Sequence, residues 1–131
     1  MDLAGRWLRT LGHEVVLTRE PGATTLGQRL REVLLDPHGE ISPRAEAMLY
    51  AADRAHHVQA VIRPALESGA VVVTDRYVDS SVAYQGAGRT LPAEDVVRLS
   101  AWATGGLTPD LTIVLDAVSY THLTLPTTPY V

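Results

Sequence analysis

Cysteine is absent from the 131 residues, which excludes a disulfide framework, a thiolate-held iron–sulfur cluster and thiolate zinc sites. Lysine is absent as well. All 11 basic residues are arginines, so every side-chain cation other than histidine is a guanidinium. No run comes near the roughly 18 consecutive apolar residues that a membrane-spanning helix needs. The opening residues Met1, Asp2, Leu3, Ala4, Gly5 and Arg6 lack the basic, then apolar, then small-residue layout of a signal peptide. The expectation is a soluble cytoplasmic protein with no membrane partner. The five histidines, among them the adjacent His56 and His57, show no metal-ligand spacing, so any metal is expected to be oxygen-bound. A net charge of -4 argues against a surface that coats nucleic acid. What remains is an ordinary globular composition, 46% hydrophobic and 20% charged, in a chain sized for one domain.

Helical patterns alternate with short β-branched runs, which predicts an α/β fold with helices crossing between parallel strands. Leu3, Trp7, Leu8 and Leu11 recur at helical spacing before Gly12, so the chain opens inside a helix. Residues 13–18 read as a strand and 19–24 as a Pro/Gly loop. Leu26, Leu30, Val33 and Leu34 mark the next helix, which leaves Arg29 and Arg31 off the apolar stripe. Ser42 is an N-cap, with Pro43 at the first helical position. The longer helix that follows carries an apolar face of Ala47, Met48, Ala51, Ala52, Ala55, Val58 and Ile62, and Pro64 and Gly69 close it. Tyr50, Arg54, His57 and Val61 form a flanking stripe at the edge of that face. Residues 70–74 read as a strand covered on both faces. A polar helix over 79–84, a loop over 86–88, an amphipathic helix over 92–104, a Gly105-Gly106 turn and a strand over 111–116 complete the domain. Residues 118–131 carry two prolines and no helical period. They also resemble the translation of a transposase-type sequencing adapter, and read as a disordered or non-native tail behind a domain at 1–117.

Three groups carry chemistry. Asp75, Arg76 and Tyr77 stand at the carboxyl end of a strand, where open α/β sheets bind ligands; the plain alternative is a helix cap with a surface ion pair. Ser81 and Gln85, four apart on a helix, can offer a hydroxyl and an amide to one planar base edge, or simply face solvent. Tyr50 and Arg54, one turn apart, suit stacking plus bidentate hydrogen bonding, or a half-buried Tyr beside a snorkelling Arg. Arg54→Ala is then expected to weaken ligand binding with little change in stability. Arg19, Arg31 and Arg76 add positive charge suited to a phosphate.

Four stretches in order and spacing, Thr18-Arg19-Glu20-Pro21-Gly22, Leu49-Tyr50-Ala51-Ala52-Asp53-Arg54-Ala55, Asp75-Arg76-Tyr77 running on to Gly86, and Ala103-Thr104-Gly105-Gly106 running on to Leu111, resemble the bacterial thymidylate kinase family. The resemblance implies transfer of the γ-phosphoryl group of ATP to dTMP, giving dTDP, with Mg²⁺ on the phosphates and a homodimer for complete members. It places Tyr50 on the thymine ring, Arg54 and Gln85 on the base edge with Ser81 beside them, and Glu20 near the deoxyribose. Arg31 and Arg76 would clamp the dTMP phosphate, and Asp75 would help order the magnesium and acceptor region. As catalytic positions it marks Asp75 and Arg76. Ala23 stands where the family has a second glycine, which implies strain if that position needs positive φ. The implied fold is an incomplete P-loop nucleoside monophosphate kinase-like three-layer arrangement, with first strand and P-loop missing. Alternatives are a non-catalytic nucleotide-binding or dimerisation remnant, and another nucleoside monophosphate kinase.

Overall fold

The computed structural model describes residues 1–87 and 91–116. Strands β1 (Val15–Arg19) and β2 (Val71–Asp75) pair in parallel, with Val15 opposite Val71 and Arg19 opposite Asp75. Parallel neighbours need a long crossover. It runs through α2 (Thr25–Leu34), α3 (Pro43–His57), a π-helical turn (Val58–Ile62) and α4 (Arg63–Glu67). Helix α1 (Asp2–Thr10) precedes the sheet, while α5 (Val78–Ser81), a second π-helical turn (Val82–Ala87) and α6 (Ala93–Thr104) follow it. A parallel sheet with connecting helices is the expected α/β class.

Local chemistry sets the helix starts. The Thr24 hydroxyl accepts the Gly27 N–H at 2.9 Å, and Ser42 Oγ accepts the Ala45 N–H at 3.3 Å, each satisfying a donor that the first helical turn leaves free. Pro64 does not end the long helix as expected. It sits in the first turn of α4, after the π-helical turn has already changed the hydrogen-bond register, so its missing N–H interrupts no regular i→i−4 ladder.

Helix α3 is the centre of the molecule, packed against α2 and α6. The apolar core is small: Ala47, Ala51, Val58, Ile62, Ala70 and Val96. Here the sequence pattern misplaced one face. Met48 and Ala52 are exposed, whereas Asp53, Arg54 and His57, expected at an edge or not singled out, are 1%, 2% and 1% exposed. The helix is rotated so that its charged stripe lies underneath other elements, because those charges find partners there. Against α2 the approach is close: a Cβ on Gly27 would run into the Asp53 carboxylate, so this position admits only glycine without displacement.

Two strand expectations are corrected. Residues Val71–Thr74 of β2 are half-buried rather than covered on both faces. Residues 111–116 form no strand, and Leu111, Ile113, Val114 and Leu115 are exposed; an apolar run becomes a strand only where a ladder partner accepts its backbone groups. Ala23 is not among the residues with positive φ, so the strain considered there is absent, whereas Gly22 adopts φ 108°. Gly105 and Gly106 close α6 with φ 60° and 77°. Gly88 and the tail 118–131 lie outside the described residues. Among the described residues no helix is long and apolar enough to cross a membrane.

Candidate functional site

At the carboxyl end of β1 the chain turns through a cis Glu20-Pro21 bond, while the Glu20 N–H donates to the Asp75 carbonyl at 3.0 Å and prolongs the pairing with β2. The Glu20 side chain is buried, 5% exposed. A carboxylate cannot be left unpaired there without a large desolvation penalty. Arg54 Nε donates to Glu20 Oε2 at 2.6 Å, and His57 Nδ1 lies 2.9 Å from Glu20 Oε1. The carboxylate only accepts, so His57 carries its proton on Nδ1. Its other ring nitrogen, Nε2, meets the Thr18 hydroxyl at 2.6 Å. The Arg54 guanidinium is fixed further by Nη1 donating to Ser81 Oγ and Nη2 to the Tyr77 carbonyl, each at 3.0 Å, and it stands 5.5 Å from the Tyr77 ring centre. Arg54 is therefore a buried strut and not a loosely packed flank residue, which overturns the expectation that Arg54→Ala leaves stability nearly unchanged.

Asp53 holds the same loop from behind. Its Oδ1 accepts the Gly22 N–H at 3.3 Å, and Oδ2 has no hydrogen-bond partner. Burial pushes its carboxyl above the usual aspartate range, with the Gly22 bond opposing. Across the window between the ordinary and the raised pKa the native state holds more protons than the unfolded chain, so stability falls there as pH rises. Asp53→Asn keeps an oxygen for Gly22 and removes the ionisation. Its melting temperature relative to the unmodified chain should climb as pH rises through that window; a constant difference would show that burial does not hold the Asp53 proton.

Above the buried cluster opens a cleft of about 350 Å³, lined by Glu20, Tyr50, Arg54, Arg76, Ser81 and Gln85 together with Pro21, Glu46, Ser80 and Tyr84. Ser81 and Gln85 are 4% and 5% exposed, brought to the same wall by α5 and the π-helical turn after it. Arg76 has φ 69°, a left-handed conformation that costs a non-glycine residue roughly 1–2 kcal/mol, and its guanidinium lies 5.4 Å from the Tyr84 ring centre. Strain of this kind persists where the surroundings fix it, often at a ligand site. The Tyr50 phenol is raised above its usual range by burial and by Glu46, with Arg76 and Arg31 opposing.

Six of the eight residues to which the resemblance gives a role thus meet in one cleft. Arg31 stands beside it, its Nη1 donating to the Pro21 carbonyl at 3.0 Å. Asp75 ends β2, exposed and opposite Arg19 in register. The sequence reading set His57 on the Tyr50 and Arg54 stripe without a role, and missed Thr18 and Asp53 beneath the cleft and Glu46 and Tyr84 in its wall. A helical wheel contained the signal for one of them, since Glu46 precedes Tyr50 by one turn. Among the described residues no three acidic or histidine side chains cluster to hold a metal by themselves.

The comparisons with known proteins agree with the motif reading. The family model for thymidylate kinase matches residues 2–124. A thymidylate kinase of Clavibacter sepedonicus is 65% identical over 114 residues, 87% of this chain and 54% of that protein. One of Leifsonia xyli subsp. xyli is 66% identical over 114 residues, with the same two coverages. One of Gloeobacter violaceus is 57% identical over 115 residues, 88% of this chain and 54% of that protein. The chain spans about half the length of the curated relatives it matches, and the half it spans holds the cleft. With a family model running through nearly all the described residues and identities above one half, this chain belongs to the thymidylate kinase family.

Proposed function

We propose that the cleft is the acceptor site of a phosphoryl transfer in which the γ-phosphoryl group of ATP passes to a phosphate oxygen of dTMP, giving dTDP and ADP in the cytoplasm. The observation that carries the reading is the convergence of an aromatic ring, two guanidinium groups, a hydroxyl and an amide in one cleft at the carboxyl ends of parallel strands, the side on which such sheets bind ligands.

The residues divide the work by chemistry. Tyr50 presents a ring for the base to stack on. Ser81 Oγ already accepts from Arg54, so its own O–H is left to donate to a base carbonyl. The Gln85 amide both donates and accepts, which matches the adjacent carbonyl and N–H of thymine. Arg76, stacked on Tyr84, meets the phosphate with Arg31 at the margin, and Glu20 lies on the sugar side. Phosphoryl transfer needs positioning and charge neutralisation more than covalent help, and this wall supplies both. Mg²⁺, when bound, neutralises phosphate charge. A single exposed carboxylate such as Asp75 fits an ion that takes one or two protein carboxylates and leaves its other positions to water and phosphate. The complete protein is read as a homodimer with the three-layer P-loop fold.

Calorimetric titration with dTMP, AMP, GMP and UMP tests the reading. It expects dTMP to bind at least about tenfold more tightly than the others, the discrimination a hydrogen-bonding pocket readily reaches. Tighter binding of another nucleotide would reassign the site to a different monophosphate kinase, and no binding of any would remove the acceptor reading.

A further inference from the structure

His57 does not line the cleft, and Thr18 does not either, yet the two are joined to it by an unbroken buried series of polar contacts. The Thr18 hydroxyl on β1 meets His57 Nε2, His57 Nδ1 meets Glu20, Glu20 accepts from Arg54, and Arg54 donates to Ser81 in the cleft wall. Every member is at least nine-tenths buried. Glu20 has two oxygens and two strong donors, one for each: Arg54 on Oε2 and His57 on Oε1. If only Arg54 held it, the carboxylate would lose the donor on Oε1 that fixes its terminal torsion, which has no sharp preference of its own, and Arg54 Nε would lose a fixed acceptor while Nη1 and Nη2 stayed on Ser81 and the Tyr77 carbonyl.

We infer that His57 is a positioning residue: by donating from Nδ1 to Glu20, with its ring anchored at Nε2 by Thr18, it fixes the Glu20 carboxylate and through it the orientation in which Arg54 and Ser81 meet the nucleotide. The nucleotide part rests on the acceptor-site reading of the cleft; the fixing of Arg54 does not. The structural alternative is that His57 only fills and satisfies the core. The two roles separate because the two ring nitrogens are replaced by different amides. In His57→Asn the amide nitrogen is attached to Cγ, as Nδ1 is, so the donor toward Glu20 is kept and the Thr18 contact is lost. In His57→Gln the amide reaches the Nε2 position, so the Thr18 contact is kept and the Glu20 donor is lost.

Two readouts on the 131-residue chain decide it: the Arg54 Nε–H resonance, which reports the ion pair without ligand, and the dissociation constant for dTMP. The expected result is a preserved Arg54 resonance in His57→Asn and a shifted or exchange-broadened one in His57→Gln. Both variants should lose similar thermal stability, while His57→Gln binds dTMP at least about tenfold more weakly than His57→Asn, the order expected for a hydrogen bond to a charged group. An Arg54 resonance that responds equally to both variants, or to neither, overturns the inference. An Arg54 resonance that divides as expected in a chain that binds no dTMP upholds the positioning and refutes the acceptor reading. Should neither His57 variant fold, Thr18→Val, which like His57→Asn removes the Nε2 contact and keeps the Nδ1 donor, must leave the Arg54 resonance in place; a shifted or exchange-broadened resonance there overturns the inference as well.

Discussion

Arg54→Ala should destabilise the chain by about 3–5 kcal/mol, the usual result of removing one partner from a buried ion pair. The reason is what stays behind. Glu20 is 5% exposed and would keep only His57, while the Ser81 hydroxyl and the Tyr77 carbonyl would each lose a donor. The melting temperature should fall by more than about 10 °C, since 1 kcal/mol shifts a domain of this size by several degrees. Urea unfolding should give a lower midpoint with unchanged slope, marking lost native stability rather than a changed unfolded state. Arg54→Met combined with Glu20→Gln should be milder than Arg54→Ala alone, because the double replacement leaves no uncompensated charge in the interior. A stability change below about 1 kcal/mol for Arg54→Ala, the size of an exposed ion pair, would show that the Glu20–Arg54 contact is not the strut described here.

The second large effect concerns turnover. The 131-residue chain, purified and given saturating ATP, Mg²⁺ and dTMP, should release no detectable ADP in a coupled assay. No lysine occurs in it, so it carries no Gly-x-x-x-x-Gly-Lys-Ser/Thr loop of the kind whose backbone amides and lysine cradle ATP phosphates. Arginines gathered around the cleft do not reproduce that backbone geometry. Losing such donor contacts removes several kcal/mol of transition-state stabilisation, at least ~10³-fold in rate. Turnover of about one per second, an ordinary enzyme rate, would refute this.

The elements whose signals are local were legible in the sequence. The Ser42 cap with Pro43 gave the start of α3, the Val71–Thr74 run gave β2, and the Gly105-Gly106 turn gave the end of α6. Helical spacing paired Tyr50 with Arg54 and Ser81 with Gln85, and a strand end marked Arg76, while their meeting at one nucleotide was implied by the resemblance to the family. Burial of charge was not legible. Helical periodicity assigns Arg54 and His57 to a flank because they are polar, and only the carboxylate of Glu20, 34 and 37 residues away along the chain, turns that flank inward. The same limit explains residues 111–116, an apolar run whose secondary structure depends on a neighbour that sequence pattern does not reveal. It also explains Pro64, whose usual helix-ending effect was removed by a π-helical turn with no signature in residue type.

The cleft above the Glu20–Arg54 pair is expected to receive dTMP. Titrating the isotopically labelled 131-residue chain with dTMP and following its amide and arginine Nε–H resonances tests this without requiring catalysis. Saturable shifts concentrated at Tyr50, Arg54, Arg76, Ser81 and Gln85, with the groove around Arg9, His13 and Ser68 at the opposite end of the sheet left unmoved, are the predicted result. Shifts confined to that second groove, or none at concentrations where family acceptor sites would be filled, would contradict it.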